Sequence, residues 1–278
     1  MVEYAWLLDG AGFTMNRSAS AAFVEFASVS VDYPTRDGQV RALAGIDLAF
    51  AEGDFVCIVG PSGCGKTTLL QTLAGFIRPT TGSVRLNGTA ITGPGPDRGV
   101  VFQQPALFPW MTVLENAEFG PMVRGIARAD RRATVEHYLK LVSLWDFHDR
   151  YPYQLSGGMQ QRLAIVRALV NDPKVLLMDE PFGALDALTR EKMQEELHAV
   201  WRRTNMTVVF ITHSVEEAVY LGTEVVVISP RPGRILERVK VGFSRVTAER
   251  DDIRAIKASP DFIAMRERIL GHIWQSAG

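Results

Sequence analysis

The architecture of this chain follows from one stretch, Gly60-Pro61-Ser62-Gly63-Cys64-Gly65-Lys66-Thr67. It comes directly after the apolar run Phe55–Val59 and leads into residues 66–76, whose composition predicts a helix. The stretch fits G-x-x-x-x-G-K-[ST] between a predicted strand and a predicted helix, which is the setting of a phosphate-binding loop. Its glycines let the backbone curl so that successive N–H groups point at phosphate oxygens, and the helix adds its positive end. A glycine-rich turn with an exposed lysine is the alternative, and it leaves both flanks unexplained.

The polar residues of this loop have distinct expected roles in holding a nucleotide. Lys66 would reach the β and γ phosphates, and the Thr67 hydroxyl would ligate Mg²⁺. Cys64 lies between two glycines, where donor groups favour a thiolate, so we expect a thiol reagent there to block nucleotide binding. The predicted nucleotide-binding residues of the loop and the first helical turn are Gly60, Pro61, Ser62, Gly63, Cys64, Gly65, Lys66, Thr67 and Thr68.

Two carboxylates and a histidine follow two further apolar runs. Asp179 and Glu180 come after residues 175–178, and His213 comes shortly after residues 208–211. Because the carboxyl ends of parallel strands share one edge of a sheet, we expect these side chains beside the phosphate loop. There Asp179 would hold the metal or its water, Glu180 would act as general base, and His213 would contact the γ-phosphate. Two solvated acids capping a strand, and a structural histidine, are the alternatives.

Strand and helix patterns alternate along much of the chain. Another apolar run covers residues 225–228, and helical patterns at 188–202 and 215–221 separate these runs. This alternation predicts a parallel sheet with helices on its faces. Before the loop, alternating residues in 23–33 and a turn at Arg36-Asp37-Gly38-Gln39 predict antiparallel strands.

Composition places the 278-residue chain among ordinary globular proteins, since 47% of its residues are hydrophobic and 22% are charged. Disordered and fibrous classes are excluded. The formal net charge of -1 gives no overall attraction to nucleic acid or anionic membranes, so such a partner would need a local site. Cys57 and Cys64 lie in an expected strand and the loop after it, which favours reduced thiols and a cytoplasmic home. We find no secretory signal and no run of about eighteen apolar residues, so we expect no membrane span.

A second anion site is predicted at Leu155-Ser156-Gly157-Gly158. Ser156 is placed to cap the following helix, and the two glycines expose backbone N–H groups at its positive end. In isolation this pattern is more often only a helix cap. Beside a phosphate loop it gives one chain two anion sites for one metal centre.

Taken together, these residues resemble the nucleotide-binding subunit of ATP-binding-cassette (ABC) transporters. Leu155-Ser156-Gly157-Gly158-Met159-Gln160-Gln161-Arg162 is similar to the family signature, and Gln103 in Val101-Phe102-Gln103-Gln104 is similar to its Q-loop glutamine. Gly183-Ala184-Leu185-Asp186 is similar to the D-loop, and Tyr33 lies where the family stacks an aromatic ring on adenine. The resemblance covers residues 23–240.

The resemblance implies a fold, a reaction and partners. The fold would be α/β, a RecA-like P-loop NTPase core with an antiparallel β subdomain and an inserted α-helical subdomain. The reaction would be hydrolysis of ATP with Mg²⁺, in a homodimer whose copies face head to tail, so that each signature serves the partner's nucleotide. The implied catalytic residues are Glu180, His213 and Gln103. The implied metal ligands are Thr67, Gln103 and Asp179, the signature residues are Leu155, Ser156, Gly157, Gly158 and Met159, and the D-loop residue is Asp186.

The chain departs from the family pattern at three positions. Met159 stands where many members have Gln, which puts one polar contact to the partner's nucleotide in doubt. Gly183 replaces a common Ser, and Ser214 replaces a common Asp. None of these changes removes a group needed for hydrolysis, so we expect a competent ATPase.

Several stretches are similar to importers of taurine, alkanesulfonates and nitrate within the family. These are residues 93–103, Phe108-Pro109-Trp110, residues 229–234 and residues 259–267, the last most like the taurine importers. The resemblance implies an ATPase subunit at the cytoplasmic face of the inner membrane, bound to transmembrane permease subunits and indirectly to a substrate-binding protein. It implies no nucleic-acid partner, and it leaves taurine, alkanesulfonate, nitrate or a related small solute open.

The chain is divided as follows. Residues 1–22 are expected to be a poorly ordered tail, residues 23–242 a nucleotide-binding domain with a helical insertion at 105–172, and residues 243–278 a helical extension. In the extension, apolar residues share one helical face, which favours packing on the same domain. They are Phe262, Met265, Ile269, Leu270, Ile273 and Trp274.

The segment 105–122 maps to the groove where the family receives a helix of the permease. Phe108, Trp110 and Met111 are the candidates for this contact, and packing within the insertion is the alternative.

Three other classes of protein fit less well. A cassette that acts on DNA would have a long coiled coil, yet only about fifty residues without sustained heptads separate Gln103 from Leu155. A ribosome-binding member would carry two cassettes and basic arms. A nucleotide-sensing module without catalysis would lack the base, whereas Glu180 is present.

Overall fold

The computed structural model describes residues 22–36, 38–246 and 253–277. The tail predicted for residues 1–22 therefore lies outside the described residues except for Ala22, as does Asp37 in the predicted hairpin turn.

A six-stranded sheet lies at the centre of the molecule. Its strands are β3 (Phe55–Val59), β6 (Arg98–Val101), β7 (Val175–Asp179), β8 (Thr207–Ile211), β9 (Glu224–Ile228) and β10 (Ile235–Lys240). Their order is β10-β9-β3-β8-β7-β6, and all neighbours are parallel except β10, which is antiparallel to β9. Every residue of β3, β8 and β9 is buried, because both faces of the sheet are covered. The predicted parallel sheet is confirmed.

A four-stranded antiparallel sheet lies in front of it. Its strands are β1 (Val24–Thr35), β2 (Gly38–Phe50), β4 (Thr81–Leu86) and β5 (Thr89–Ala90), in the order β2-β1-β4-β5. The alternation over residues 23–33 predicted strand structure, and β1 runs through these residues as one strand with a bulge at Ser28, where φ is 48°. Two backbone bonds join the sheets: Ala44 N–H donates to the Gly233 carbonyl (3.0 Å) and Gly233 N–H to that of Ala42 (2.9 Å).

Nine α-helices are assigned in the described part of the chain. They are α1 (Lys66–Ala74), α2 (Val113–Val123), α3 (Arg128–Leu141), α4 (Gly157–Leu169), α5 (Ala187–Thr204), α6 (Val215–Leu221), α7 (Phe243–Val246), α8 (Ile253–Lys257) and α9 (Pro260–Ala277). Helix α1 ends two residues earlier than predicted because Gly75 turns left-handed (φ 80°). A Cβ at Gly75 would lie 2.2 Å from the Gly93 carbonyl oxygen. Within the described residues, no helix is both long and apolar enough to cross a membrane.

The helices between β6 and β7 have a core of their own. No strand occurs in residues 105–172, and α2, α3 and α4 pack around ten buried apolar residues. These are Val113, Ala117, Val135, Leu139, Val142, Leu144, Leu155, Leu163, Val166 and Val170. We call residues 105–172 the helical insertion and the two sheets with their flanking helices the sheet core.

Helix α9 packs on α6, β9 and β10, as expected for a helix that covers its own domain. Phe262 and Ile269 are fully buried, but Trp274 is 67% exposed. The prediction that Trp274 belongs to the packed face is therefore wrong. At 3.6 residues per turn, Trp274 lies one position beyond Ile273 and turns away from the apolar stripe.

Candidate nucleotide-binding site

The loop between β3 and α1 curls as the glycine spacing predicts. Gly63 and Gly65 have φ angles of 74° and 103°, which only glycine adopts readily. A Cβ at Gly65 would lie 2.9 Å from the Ala42 carbonyl oxygen, so strand β2 packs directly on the loop. Any side chain at Gly65 would push the loop and the antiparallel sheet apart.

The ammonium of Lys66 lies within this curled loop. Its Nζ donates to the carbonyl oxygens of Gly60 and Pro61, both at 3.0 Å, and the side chain is buried. A buried cation so placed attracts an anion to the mouth of the loop.

The Cys64 thiol is buried against the core beneath the loop. A Cβ built on Gly60 would lie 3.1 Å from its sulfur, and Cys64 is only 1% exposed. Burial raises the pKa of the thiol, although the charge and backbone N–H of Lys66 act in the opposite direction. The predicted reactive thiolate is therefore wrong, because burial outweighs the donors near the sulfur, which include Lys66 Nζ at 4.0 Å. Both Cys57 and Cys64 are free thiols.

A cleft of about 380 Å³ opens above the loop. Three sets of residues line it: side chains of the antiparallel sheet, residues of the loop and α1, and residues that follow the parallel strands. They are Tyr33, Thr35, Val40 and Ala42; Ser62, Gly63, Gly65, Lys66, Thr67 and Thr68; and Glu180, His213 and Arg231. The Tyr33 hydroxyl lies 3.3 Å from Thr68 Oγ1, which fixes this half-exposed ring at one end of the cleft.

Asp179 ends β7 next to the loop. Thr67 Oγ1 donates to Asp179 Oδ1 at 3.2 Å. Burial and the charge of Glu180 raise the pKa of Asp179, while the Thr67 hydrogen bond and the charges of Lys66 and His213 lower it, and the net shift is upward. A carboxylate so buried is stabilised by a nearby cation.

The oxygen donors at this point fit Mg²⁺, which prefers hydroxyl, carboxylate, phosphate and water oxygens. In the described ranges, no cluster of three or more His, Cys, Asp or Glu could hold a metal by itself. A cation held by Thr67 and Asp179 would therefore need phosphate and water oxygens as further ligands.

Glu180 is the meeting point of the three predicted catalytic residues. His213 Nε2 lies 2.5 Å from Glu180 Oε1, and Gln103 Nε2 donates to Glu180 Oε2 at 3.5 Å. The Glu180 backbone is left-handed (φ 47°) and its N–H bonds to the Ile211 carbonyl (3.0 Å). The neighbouring strand therefore holds the backbone that carries this carboxylate in an uncommon conformation.

The predicted second anion site begins α4. Ser156 caps the helix by accepting from the Met159 N–H at 3.3 Å, and Ser156 and Gly157 are exposed. Gly158 is buried, and a Cβ there would lie 2.7 Å from Thr189 Cγ2. Leu155 packs in the core of the insertion. Among the residues that line the described cleft, none belongs to this motif, so one copy of the chain does not bring the two anion sites together.

The other family positions have local structural roles. Asp186 caps α5 by accepting from the Thr189 N–H at 3.0 Å, and this bond holds the pKa of its carboxyl below the ordinary value. Ser214 caps α6 by accepting from the Glu217 N–H at 3.2 Å, a task that Ser performs about as well as Asp.

Arg231 is a site residue that the sequence did not single out. It lines the cleft, and its Nε donates to the Gly63 carbonyl at 3.3 Å. Residues 229–234 were noted only for their similarity to importers of taurine, alkanesulfonates and nitrate. The signal that could have found Arg231 is its position in the turn after the carboxyl end of β9, because β9 is the parallel neighbour of β3.

Comparisons with known proteins agree with this geometry. A family model described as ABC transporter matches residues 43–183. The chain is 50% identical to a taurine import ATP-binding protein of Roseobacter denitrificans, over 89% of this chain and 91% of that protein. It is 51% identical to one of Chromobacterium violaceum, over 88% and 94%.

Solved structures give the same result. The dimeric structure of MJ0796, a bacterial ABC transporter cassette, superposes with a TM-score of 0.70 at 34% identity, over 78% of this chain and 98% of that one. A post-hydrolysis dimer of the same cassette bound to ADP and Pi superposes with a TM-score of 0.69, also at 34% identity, over 78% and 98%. The phosphate loop, the acidic strand end and the matches together show that this chain is an ATPase cassette and belongs to the ABC transporter family.

Proposed function

We propose that the chain is the ATP-hydrolysing subunit of an importer that brings taurine across the cytoplasmic membrane. The observation that carries the hydrolytic part is the Glu180 carboxylate, held between His213 and Gln103 at the edge of a cleft that contains a phosphate loop. The cargo is supported by relatives about 50% identical that are named taurine import proteins. Alkanesulfonate and nitrate are the alternative cargoes.

The proposed chemistry assigns each group a task. Lys66 and the loop N–H groups bind the β and γ phosphates, and Tyr33 stacks on the base. Glu180 accepts a proton from the attacking water, and His213 stabilises charge on the γ-phosphate. Thr67, Asp179 and Gln103 would hold Mg²⁺, which, when bound, supplies positive charge to the phosphate oxygens.

We further propose that two copies pair head to tail. The signature motif of one copy lies outside its own cleft, yet it offers a helix N-terminus for an anion, and the solved MJ0796 relatives are dimers. In this arrangement Ser156, Gly157 and Gly158 bind the nucleotide of the partner copy.

The permease is proposed to dock on the helical insertion beside Gln103. Trp110 is 70% exposed, whereas Phe108 is partly buried and packs its ring 4.7 Å from Phe119. Trp110 is therefore the best candidate for a contact with the permease. A subunit held in this way lies at the cytoplasmic face of the membrane, with the substrate-binding protein reached only through the permease.

Two inactive variants test the hydrolytic proposal. Glu180→Gln should lower kcat by about 10²-fold or more while ATP binding is retained. Gly157→Asp places a carboxylate where the partner's phosphate would lie. A Cβ at Gly157 meets no atom within 4 Å, and an acidic residue suits a helix start, so this variant should fold.

Mixing the two variants tests the head-to-tail pairing. In an equal mixture, half of the dimers contain one subunit of each variant. One of the two sites in such a dimer has both an intact Glu180 and an intact Gly157. Activity should recover to about one quarter of the wild-type value. No recovery in a mixture whose subunits exchange would contradict the pairing, and retained turnover by Glu180→Gln would contradict the base.

The cargo is tested by growth of cells that lack this chain. Taurine, an alkanesulfonate and nitrate are each supplied at limiting concentration as the sole source of sulfur or nitrogen. Loss of growth on taurine alone, restored by the wild-type chain but not by Glu180→Gln, supports the proposal. Loss on one of the other compounds reassigns the cargo.

A further inference from the structure

A buried carboxylate lies beneath the loop that carries His213. Glu217 is 5% exposed, and its Oε2 accepts from Thr212 Oγ1 at 2.5 Å. Thr212 Oγ1 accepts in turn from the Ser214 N–H at 2.9 Å, and the Glu217 N–H donates to Ser214 Oγ at 3.2 Å. The residues on both sides of His213 are therefore tied to this one acid.

This arrangement modifies the usual capping box. There the third residue of the helix accepts directly from the N–H of the cap residue. Here the Thr212 hydroxyl is inserted between the Ser214 N–H and the Glu217 carboxylate. A standard box would fix only the start of α6, whereas this one also fixes the residue that precedes His213.

The other oxygen of Glu217 faces helix α5. Gln194 Nε2 donates to Glu217 Oε1 at 3.0 Å, and Arg190 Nε lies 3.7 Å from the same oxygen. Arg190 also donates to the carbonyls of Phe182 (3.3 Å) and Leu185 (2.9 Å). Both carbonyls lie in the segment that runs from Glu180 into the D-loop: Phe182 precedes the D-loop and Leu185 lies within it.

We propose that Glu217 is a positioning residue for ATP hydrolysis. It holds the His213 loop and, through Arg190, the segment after Glu180 in one fixed relation, which keeps His213 Nε2 and Glu180 Oε1 2.5 Å apart. Among the described residues that line the cleft, Glu217, Gln194 and Thr212 do not occur, so Glu217 acts through its neighbours. The inference rests on the roles proposed for Glu180 and His213.

The C-terminal helices reach the same network. Lys257 Nζ on α8 donates to Gln194 Oε1 at 3.0 Å and pairs with Glu216 at 2.9 Å. Gln194 therefore donates through its Nε2 to Glu217 and accepts through its Oε1 from Lys257. These two bonds fix the orientation of its amide.

The donor pattern supplies a sharp test. Glu217 accepts from both Thr212 and Gln194. In Glu217→Gln, the new amide N–H group of residue 217 faces the donor of one of these partners, so one hydrogen bond is lost. Gln194→Glu alone sets two acids together. In the double variant the amide at position 217 donates to the carboxylate at position 194 and its oxygen still accepts from Thr212. Lys257 then faces a carboxylate.

The purified full chain is assayed for ATPase activity, ADP affinity and thermal unfolding. Glu217→Gln should lower kcat by about 10- to 100-fold through misplacement of His213. KM for ATP and Kd for ADP should stay within about 2-fold, because the phosphate loop is untouched. Gln194→Glu should also lose turnover, and the double variant should recover kcat to within about 3-fold of wild type.

Val219→Ala is the matched control, since Val219 is fully buried on the same helix but belongs to the apolar core. It should lower the melting temperature and leave kcat unchanged. The inference is overturned if Glu217→Gln behaves like Val219→Ala, or if the double variant recovers melting temperature but not kcat.

A second pair covers the case in which Glu217→Gln does not fold. Thr212→Ser keeps the hydroxyl that Glu217 accepts from, and Thr212→Val removes it with little change of shape. Turnover should survive in the first and fall in the second, and equal turnover would reject the inference. A wild-type chain that hydrolyses no ATP, or an active Glu180→Gln, would instead overturn the proposed function.

Discussion

The sheet core and the helical insertion are organised in different ways. In the core, Glu180 and His213 follow strands buried on both faces, and each is held by bonds to neighbouring elements. The insertion has ten buried apolar residues at its centre and leaves Trp110 and Tyr153 70% and 74% exposed. The difference indicates that this chain uses buried strands where atoms must keep their positions, and it leaves exposed aromatic side chains on the region where we propose that the permease binds.

A side chain within the insertion ties its helix α4 to the segment that follows Gln103. Arg167 on α4 donates to the carbonyls of Ala106 at 2.7 Å and Pro105 at 3.0 Å, just after Gln103. Gln103 in turn contacts Glu180. Helix α4, which begins with the signature motif, is therefore connected through residues 105–106 and Gln103 to Glu180, the proposed base.

The strongest test of the comparison is a pair of core truncations. Phe210 is fully buried, with its ring centroid 5.8 Å from that of Phe55, and Leu139 is fully buried in the insertion. Phe210→Ala should lower the free energy of unfolding by about 3–5 kcal/mol and weaken ADP binding, whereas Leu139→Ala should cost about 2–5 kcal/mol and leave ADP affinity unchanged. Denaturant unfolding and ADP titration measure both. Equal loss of ADP affinity would show that the two regions fold as one unit.

A smaller effect is expected at the exposed surface of the insertion. Trp110→Ala should weaken assembly with the permease by about 2 kcal/mol, or about 30-fold in Kd, and leave the ATPase activity of the free chain unchanged. Trp274→Ala is the matched control, because Trp274 is 67% exposed but lies on α9. Co-purification with the permease from membranes distinguishes them, and normal assembly of Trp110→Ala would exclude Trp110 from the interface.

The smallest expected effect is a change in how strongly the stability of the chain depends on pH, caused by one histidine of the core. Burial lowers the pKa of His198, the charge of Arg202 adds to this, and the 2.7 Å bond to the Ser244 carbonyl opposes it. Because the unfolded chain then binds a proton more readily, His198 favours folding above its ordinary pKa of 6.5. That contribution is lost as pH falls through the folded value.

Melting temperatures at pH 7.5 and pH 5.5 test this assignment. The wild-type chain should lose more stability on acidification than His198→Gln does. His137→Gln removes an exposed histidine of the insertion and should keep the wild-type slope. A slope that is unchanged in His198→Gln would show that other groups cause the acid sensitivity.

The sequence predicted the parts of the site that depend on position along the chain. The phosphate loop, Asp179, Glu180 and His213 each follow an apolar run, and a run that ends in a polar residue places that residue at a strand's end. The α/β fold with its antiparallel front and helical middle followed from the same alternation, and the structure and the comparisons confirm it.

The residues that the sequence missed depend on packing between distant elements. Whether Cys64 faces phosphate or core is decided by its contact with the underside of the loop. Arg231 reaches the cleft because β9 lies beside β3, and Glu217 matters because α5 places Gln194 against it. The contacts of Cys64 and Glu217 have no local pattern in the sequence, and for Arg231 the sequence shows only that it follows the apolar run 225–228.

The two backbone bonds between β2 and Gly233 hold the two sheets that line the cleft at a fixed distance. The aromatic ring that would meet the base belongs to one sheet and the phosphate loop to the other, so these bonds, together with the contact between the Tyr33 hydroxyl and Thr68, fix how far the ring lies from the loop. The cleft should therefore bind ligands of one length more strongly than shorter ligands. A base joined to its phosphates through one ribose fits that span, whereas inorganic triphosphate engages only one end and should bind more weakly than ATP.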